Sequence, residues 1–292
     1  MHICHVLQQG LEEQKKLLDE IKELRGQIED IETVSEFMNK KIEAERRLVE
    51  IVDGLTVLQK ECEGRKLNFK EELLQYLGGK EKDWEFGFDE DGYVVKIRRA
   101  DAHYEVPLKN INLNFLFLDH LESLDLSNTN LNSVNFNKNN VSNLNLDNTN
   151  VFFPFFDLGQ FRNMEFLNLS YAKVDKLILN NNNNKLKSLV LYGCKLKEEV
   201  LDVSEILNLE ILDISETYVK DVKFENPNLK ELYMENTKLS RKKLDISELY
   251  NLVRINIEGS DISELYISKD QEKKIKDKKL QISVSESQSL IS

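Results

Sequence analysis

The sequence predicts an α/β solenoid, a stack of short strand-bearing coils preceded by an α-helical coiled-coil or helical-hairpin region. Three observations predict it. An apolar triplet of the form Leu-x-x-Leu-x-Leu recurs from residue 121 to about residue 267. Asparagine and other small polar residues fill much of the space between triplets. Before residue 53 the apolar residues recur instead at alternating steps of three and four, the spacing of a helix seam. The expected division is a helical region at 1–79, a β cap leading into the solenoid at 80–120, the repeats at 121–267, and a closing cap and tail at 268–292.

The seam comes first. Leu17, Ile21, Leu24, Ile28 and Ile31, then Met38, Ile42, Val49 and Val52, fall on one narrow stripe, with Ser35 and Glu45 in the skipped places. A second helix wrapped against such a stripe buries it, while Glu20, Lys22, Glu23 and Arg25 stay solvated. Two readings fit. One is an antiparallel hairpin broken near Gly26 or Gly54. The other is a continuous helix that pairs with a second copy, a homo-oligomer formed through residues 17–52. Glycine costs only about 1 kcal/mol inside a helix and does not decide between them. The first proline is Pro107, and Gly78-Gly79 closes the helical region.

The period then changes. In WEFGFDEDGYVVKIRR (84–99), Asp91-Gly92 is a turn signal ahead of the strand-like run Tyr93–Ile97. A short β element therefore starts the second domain.

The repeats follow as Leu121/Leu124/Leu126, Val141/Leu144/Leu146, Met164/Leu167/Leu169, Leu186/Leu189/Leu191, Leu209/Leu212/Ile214, Leu229/Leu232/Met234 and Leu252/Ile255/Ile257. Starts at 121, 141, 164, 186, 209, 229 and 252 are separated by 20, 23, 22, 23, 20 and 23 residues. A period of this size marks a solenoid, in which each unit buries its apolar face only by stacking on its neighbours. The last two apolar residues of a triplet stand two apart, so both point inward from a short strand.

These triplets resemble the leucine-rich repeat pattern Leu-x-x-Leu-x-Leu-x-x-Asn-x-Leu, matched seven times over residues 121–267. The asparagine place of that pattern is held here by Thr129, Thr149, Ala172, Cys194, Thr217, Thr237 and Ser260. Small hydroxyl or thiol side chains there are expected to bond neighbouring turns, and Cys194 reads as a buried ladder residue. Shorter units carry a second triplet: Leu131/Val134/Phe136, Val174/Leu177/Leu179, Val219/Val222/Phe224 and Ile262/Leu265/Ile267. That doubling resembles the bacterial IRREKO class of leucine-rich repeats and implies strands on both sides of a flattened coil. The longer stretches 195–207 and 238–250 look more like a convex arc with a helical turn. The asparagines suit tight turns, because their side chains bond local backbone and tolerate left-handed geometry.

Composition narrows the function. Asp and Glu number 52 against 40 Lys and Arg, a net charge of -12, which argues against nucleic acid as a partner. No stretch approaches the roughly 20 apolar residues of a membrane span, and the start of the chain lacks the pattern of a signal peptide. Cys4, Cys62 and Cys194 are three and far apart, which suits reduced thiols and a cytoplasmic protein, or else a leaderless secreted effector. Among the histidines, His2-Ile3-Cys4-His5 could hold a metal, but it lies in a terminus expected to fray, and His103 and His120 stand apart. No phosphate-binding glycine loop and no Gly-x-Ser-x-Gly elbow occurs. Neither a catalytic group nor a cofactor is expected.

What remains is a surface. Residues between the inward leucines form three columns on the expected concave sheet. The first runs Ser123, Asn143, Phe166, Ser188, Ile211, Glu231, Arg254; the middle Asp125, Asn145, Asn168, Val190, Asp213, Tyr233, Asn256; the third Ser127, Asp147, Ser170, Tyr192, Ser215, Glu235, Glu258. Phe166, Val190, Tyr192, Ile211 and Tyr233 are large and apolar on successive repeats, with Asp213 and Glu235 at their edge. An exposed apolar cluster with a polar rim marks a protein-binding site. The sequence reading is thus a non-enzymatic adaptor with a protein partner, the alternative being a scaffold that acts through the N-terminal seam. In the tail, Lys279–Ser285 is expected to form a closing strand and the lysine run before it a solvated turn.

Overall fold

The computed structural model describes residues 66–292, apart from 102–104, 109–111, 116–117, 119, 137, 139, 180–184 and 198. The seam at residues 17–52, and with it the choice between hairpin and intermolecular coiled coil, lies outside the described residues.

A helix, α1 (Lys66–Leu77), ends where Gly78 takes a left-handed φ of 84°. Its Leu73 and Leu77 are buried in the apolar core, and its Tyr76 meets Phe115 edge-on at 6.1 Å. The expected hairpin follows as β1 (Trp84–Phe88) and β2 (Val94–Arg99), paired antiparallel. Gly92 (φ 87°) makes the turn, and the Asp89 carboxylate accepts the Tyr93 N–H at 2.7 Å.

From β2 onward the sheet is parallel and grows one strand per coil: β3 (Ser123–Asp125), β4 (Asn143–Asn145), β5 (Phe166–Asn168), β6 (Ser188–Val190), β7 (Ile211–Asp213), β8 (Glu231–Tyr233), β9 (Arg254–Asn256) and β10 (Gln281–Ser283). The register aligns Leu124, Leu144, Leu167, Leu189, Leu212, Leu232 and Ile255 in one inward row, every one of them 0% exposed. Burying a leucine stabilises by about 1.5–3 kcal/mol, so the repeated triplet is the main cause of the fold.

Short parallel strands also line the opposite side of the coils, among them Asn112–Phe115, Ser133–Phe136, Lys173–Val174, Asp221–Lys223 and Glu264–Tyr266. The second triplets thus form a second set of strands. The longer units differ from the helical turn expected of them. Val200–Asp202 and Lys243–Asp245 are strands, because Leu201/Val203 and Leu244/Ile246 alternate inward with period two. A second correction concerns the lysine run. Residues Lys269–Lys276 form a helix, α2, started by Ser268 and Gln271, each capping the other's backbone N–H. With α1 and α2 as the α-helices among the described residues, this part of the chain is a mostly β solenoid. The closing strand appears as β10, followed by Ser289–Ile291 on the far side. No helix among the described residues is long and apolar enough to cross a membrane.

Three local devices close each coil. The residue before the substituted asparagine place is left-handed in every repeat: Asn128, Asn148, Tyr171, Gly193, Glu216, Asn236 and Gly259, with φ between 51° and 67°. Middle-column Asp125, Asn145, Asn168, Asp213 and Asn256 each accept the backbone N–H two residues on, at 2.9–3.1 Å. The threonines bond differently from expectation. Thr129, Thr149 and Thr217 donate to the carbonyl three residues back in their own coil. Thr237 alone of the four reaches the preceding coil, at Ile214 O (3.1 Å). Buried amides also bridge coils: Asn226 donates to Val203 O and Ile206 O, and Gln271 to Ile246 O and Leu249 O.

Candidate functional site

The outward face of the ten-stranded sheet carries the predicted columns in register. Phe166, Ser188, Ile211, Glu231 and Arg254 are lateral neighbours along the first column; Asn168, Val190, Asp213, Tyr233 and Asn256 along the middle one. Phe166 and Ile211 therefore flank Ser188, a small residue only 7% exposed, and Val190 stands two residues along the same strand. All five large predicted residues, Phe166, Val190, Tyr192, Ile211 and Tyr233, are partly exposed. Their alternation with fully buried leucines comes from the two-residue period of a strand.

The structure divides this set. Phe166, Val190 and Ile211 share one area, while Asp213 lies between Val190 and Tyr233 in register. Tyr233 belongs to a polar group: its hydroxyl donates to Glu231 and accepts from Arg254 Nη1 at 3.1 Å, and Arg254 also lies 3.8 Å from Glu231. Partial burial, then the Glu231 carboxylate, push the Tyr233 hydroxyl upward in pKa. Glu235 accepts Asn256 Nδ2 at 3.2 Å, and its N–H donates to Ser215 Oγ at 3.1 Å. Asp213 holds its turn through the Ser215 N–H. Burial raises its carboxyl pKa and outweighs that hydrogen bond. Asp147 is raised likewise, by burial and then by the nearby charge of Asp125.

Tyr192 sits in a group the columns do not reveal. Its ring meets that of Tyr171 edge-on, with centroids 5.3 Å apart, and its hydroxyl donates to Glu216 Oε1 at 2.7 Å. That bond, the largest cause, pushes the hydroxyl pKa well above the ordinary tyrosine range. Tyr171, Glu216 and Arg254 are the residues of this face that the sequence reading did not single out. Aligning the position just before Thr129, Thr149 and their equivalents would have found the first two, since every other repeat holds asparagine or glycine there.

Cys194, by contrast, is 1% exposed, and burial pushes its thiol up to about 12. The thiolate needed for nucleophilic or metal chemistry is thereby disfavoured. His120 contacts Asp89 at 2.9 Å through Nδ1 and stacks on Tyr93, a pairing that ties the sheet's first hairpin to the first coil.

A family model described as Zer-1-like leucine-rich repeats matches residues 157–283. No curated protein sequence matches the chain. Among solved structures, a leucine-rich repeat protein of Leptospira interrogans is similar at 17% identity and a TM-score of 0.36, over 60% of this chain and 62% of that one. The functional domain of InlJ from Listeria monocytogenes, whose title records a cysteine ladder, is similar at 16% identity and a TM-score of 0.38, over 62% of this chain and 46% of that one. An internalin, inlF, of Listeria monocytogenes is similar at 13% identity and a TM-score of 0.31, over 60% and 62%. The alignments span between 46% and 62% of the length of these three structures. The repeats of this chain are leucine-rich repeats.

Proposed function

We propose that this leucine-rich repeat solenoid is a non-enzymatic, protein-binding adaptor. The partner docks on the outward face of the long sheet, over Phe166, Val190, Tyr192, Ile211, Asp213, Tyr233 and Glu235. One observation carries the reading. Five of the seven middle-column residues are Asn or Asp, and each closes its own turn with its side chain. Val190 and Tyr233 give up that hydrogen bond, worth about 1 kcal/mol, and put partly exposed apolar surface in its place. Positions that depart from a local rule are the ones to suspect of function.

The physics of the face suits a protein. Tyrosine rings bury well against a partner while keeping a hydroxyl hydrogen bond, and such residues dominate hot spots. The neighbouring carboxylates Asp213, Glu231 and Glu235 favour a partner with basic groups opposite. Rim charges of this kind act mostly on encounter rate and salt dependence.

The test is affinity capture with the full chain against a Val190→Asn/Tyr233→Asn double variant. Asparagine is the repeat's own residue at both places, so the fold should hold. Capture should fall by more than about five-fold in the variant, as loss of a hot spot predicts, with a melting temperature equal to or above that of the unsubstituted chain. Substituting Lys223, which faces Asp202 on the far-side strands, or Lys238 should change little. Equal losses in both sets would refute the face.

A further inference from the structure

We infer that Tyr171, Tyr192 and Glu216 form a seat for a single arginine side chain of the protein partner, an inference that rests on the function proposed above. The starting observation is the left-handed position common to all seven coils. Five coils fill it with Asn128, Asn148, Gly193, Asn236 and Gly259, the residue types that tolerate positive φ. Tyr171 (φ 59°) and Glu216 (φ 56°) are the two exceptions, and they flank the coil of Gly193. A tyrosine or glutamate here is strained, and nothing in the coil's own closure requires either one.

Both side chains serve the same ledge. A Cβ on Gly193 would lie 2.7 Å from a Tyr171 ring carbon, so the missing side chain leaves the space in which that ring lies. Tyr171 is 48% exposed and touches Tyr192 edge-on. Tyr192 in turn holds the Glu216 carboxylate at 2.7 Å. Three successive coils thus present an exposed aromatic ring and a fixed carboxylate side by side.

Charge selects the occupant. Among the described residues Glu216 forms no ion pair, and Asp147, Asp213, Glu235 and Glu258 lie on the same side of the sheet. Lys187 and Lys230, on the other border of this face, are paired with Glu165 and Glu210. The exposed Lys173 and Lys195 lie two residues beyond Tyr171 and Gly193, so the ledge offers a cation one carboxylate without an ion pair, Glu216, rather than a wholly acidic surface. An aromatic ring beside a carboxylate is suited to a cation. A planar guanidinium can stack on Tyr171 and direct its N–H fork at Glu216, where the carboxylate has lone pairs beyond the one Tyr192 uses. An ammonium cannot do both as well.

The probe is a penta-arginine peptide, measured by isothermal titration calorimetry on the full chain at low salt, with penta-lysine and penta-glutamate as comparisons. Tyr171→Asn and Glu216→Asn each install the residue other coils use, so both should fold with a melting temperature equal to or above that of the unsubstituted chain. Each should weaken penta-arginine binding by about five-fold or more, the loss of one stacked or paired contact. Penta-lysine should bind more weakly than penta-arginine, and penta-glutamate not at all. Unchanged affinity in both variants, equal affinity for the two cationic peptides, or weakening seen only with a lowered melting temperature would overturn the seat. The Val190→Asn/Tyr233→Asn variant separates the two readings. A captured partner that depends on Val190 and Tyr233 but ignores Tyr171→Asn and Glu216→Asn sinks the seat alone. Penta-arginine binding that follows Tyr171 and Glu216, with no partner captured through the sheet face, keeps the seat and sinks the broader reading.

Discussion

Replacing Leu189 with alanine tests the inward phase on which everything else depends. Leu189 is the central residue of β6, 0% exposed, and its lateral neighbours Leu167 and Leu212 are equally buried. The change removes three carbon atoms. At about 0.8 kcal/mol per buried methylene-sized group, the transfer loss is about 2.4 kcal/mol. A cavity term adds to this where the walls cannot collapse. Here the walls are strands held in register on both sides by backbone hydrogen bonds, so little relaxation is available and a total of about 3–4 kcal/mol is expected. That is a large fraction of a typical domain's stability. Urea unfolding followed by far-ultraviolet circular dichroism would measure it. Val190→Asn, one residue along the strand and outward-facing, should not lower stability and can gain up to about 1 kcal/mol from the turn hydrogen bond that Asn makes in other coils. Because each coil is stabilised by its neighbours, hydrogen exchange in Leu189→Ala should speed up in the coils of Leu167 and Leu212 as well. A loss under about 1 kcal/mol at Leu189, or equal losses at Leu189 and Val190, would refute the assignment of faces.

Two further outcomes follow from particular side chains. Burial raises the pKa of Asp213, so in the folded state its ionised form is disfavoured relative to the unfolded chain. That cost is absent below the unfolded aspartate value of about 3.9, where both states are protonated, and develops as pH rises through the folded value. Asp213→Asn, which keeps an acceptor for the Ser215 N–H, should therefore raise the melting temperature at pH 7 and leave it unchanged near pH 3. An increment of the same size at both pH values would show that charge is not its cause. Asn226→Ala removes the amide that bonds Val203 O and Ile206 O. Each carbonyl keeps one backbone donor, Ile206 N–H for Val203 O and Leu209 N–H for Ile206 O, so losing the two amide bonds at about 0.5–1.5 kcal/mol each gives an expected total of about 1–3 kcal/mol by urea unfolding. No measurable loss would mean that the backbone donors alone satisfy both carbonyls.

Coil-to-coil contacts on the surface follow the same logic of register. Lys187 with Glu165, Lys230 with Glu210, Lys197 with Asp175, Lys243 with Glu264 and Arg241 with Asp221 each join one coil to the next. Such exposed pairs add little stability individually. Their placement at equivalent positions favours one alignment of neighbouring coils over a slipped one. The amides of Asn226 and Gln271 reinforce that alignment from inside, at equivalent carbonyl pairs of the two longest far-side arcs.

The sequence by itself determined the solenoid, its seven coils and the inward or outward phase of each triplet residue. Leu124, Leu144, Leu167 and their equivalents repeat in phase, and a two-residue period leaves no freedom about which side chains face the core. It also determined the hairpin at Asp91-Gly92 and the buried place of Cys194. Those signals are local, carried within one coil by spacing and residue type. The tertiary structure decided what spacing cannot express. Coils of unequal length made it uncertain which residues 20 or more positions apart would meet, so Tyr192 with Glu216, Tyr233 with Arg254, and Asn226 with Val203 and Ile206 were not legible. The longer arcs carry a helical expectation because their extra length masks a short alternation, whereas stacking against the next coil's far-side strand favours the extended form there. The lysine run, expected as a turn, is helical because Ser268 and Gln271 cap its start. Asp213, expected as rim charge, also closes its own turn. Tyr171 and Glu216 stand out in the sequence as exceptions at a place that holds Asn or Gly in the other coils, but their strain is decided by the tertiary structure, for strain belongs to φ, and φ is set by how a coil must close upon its neighbours.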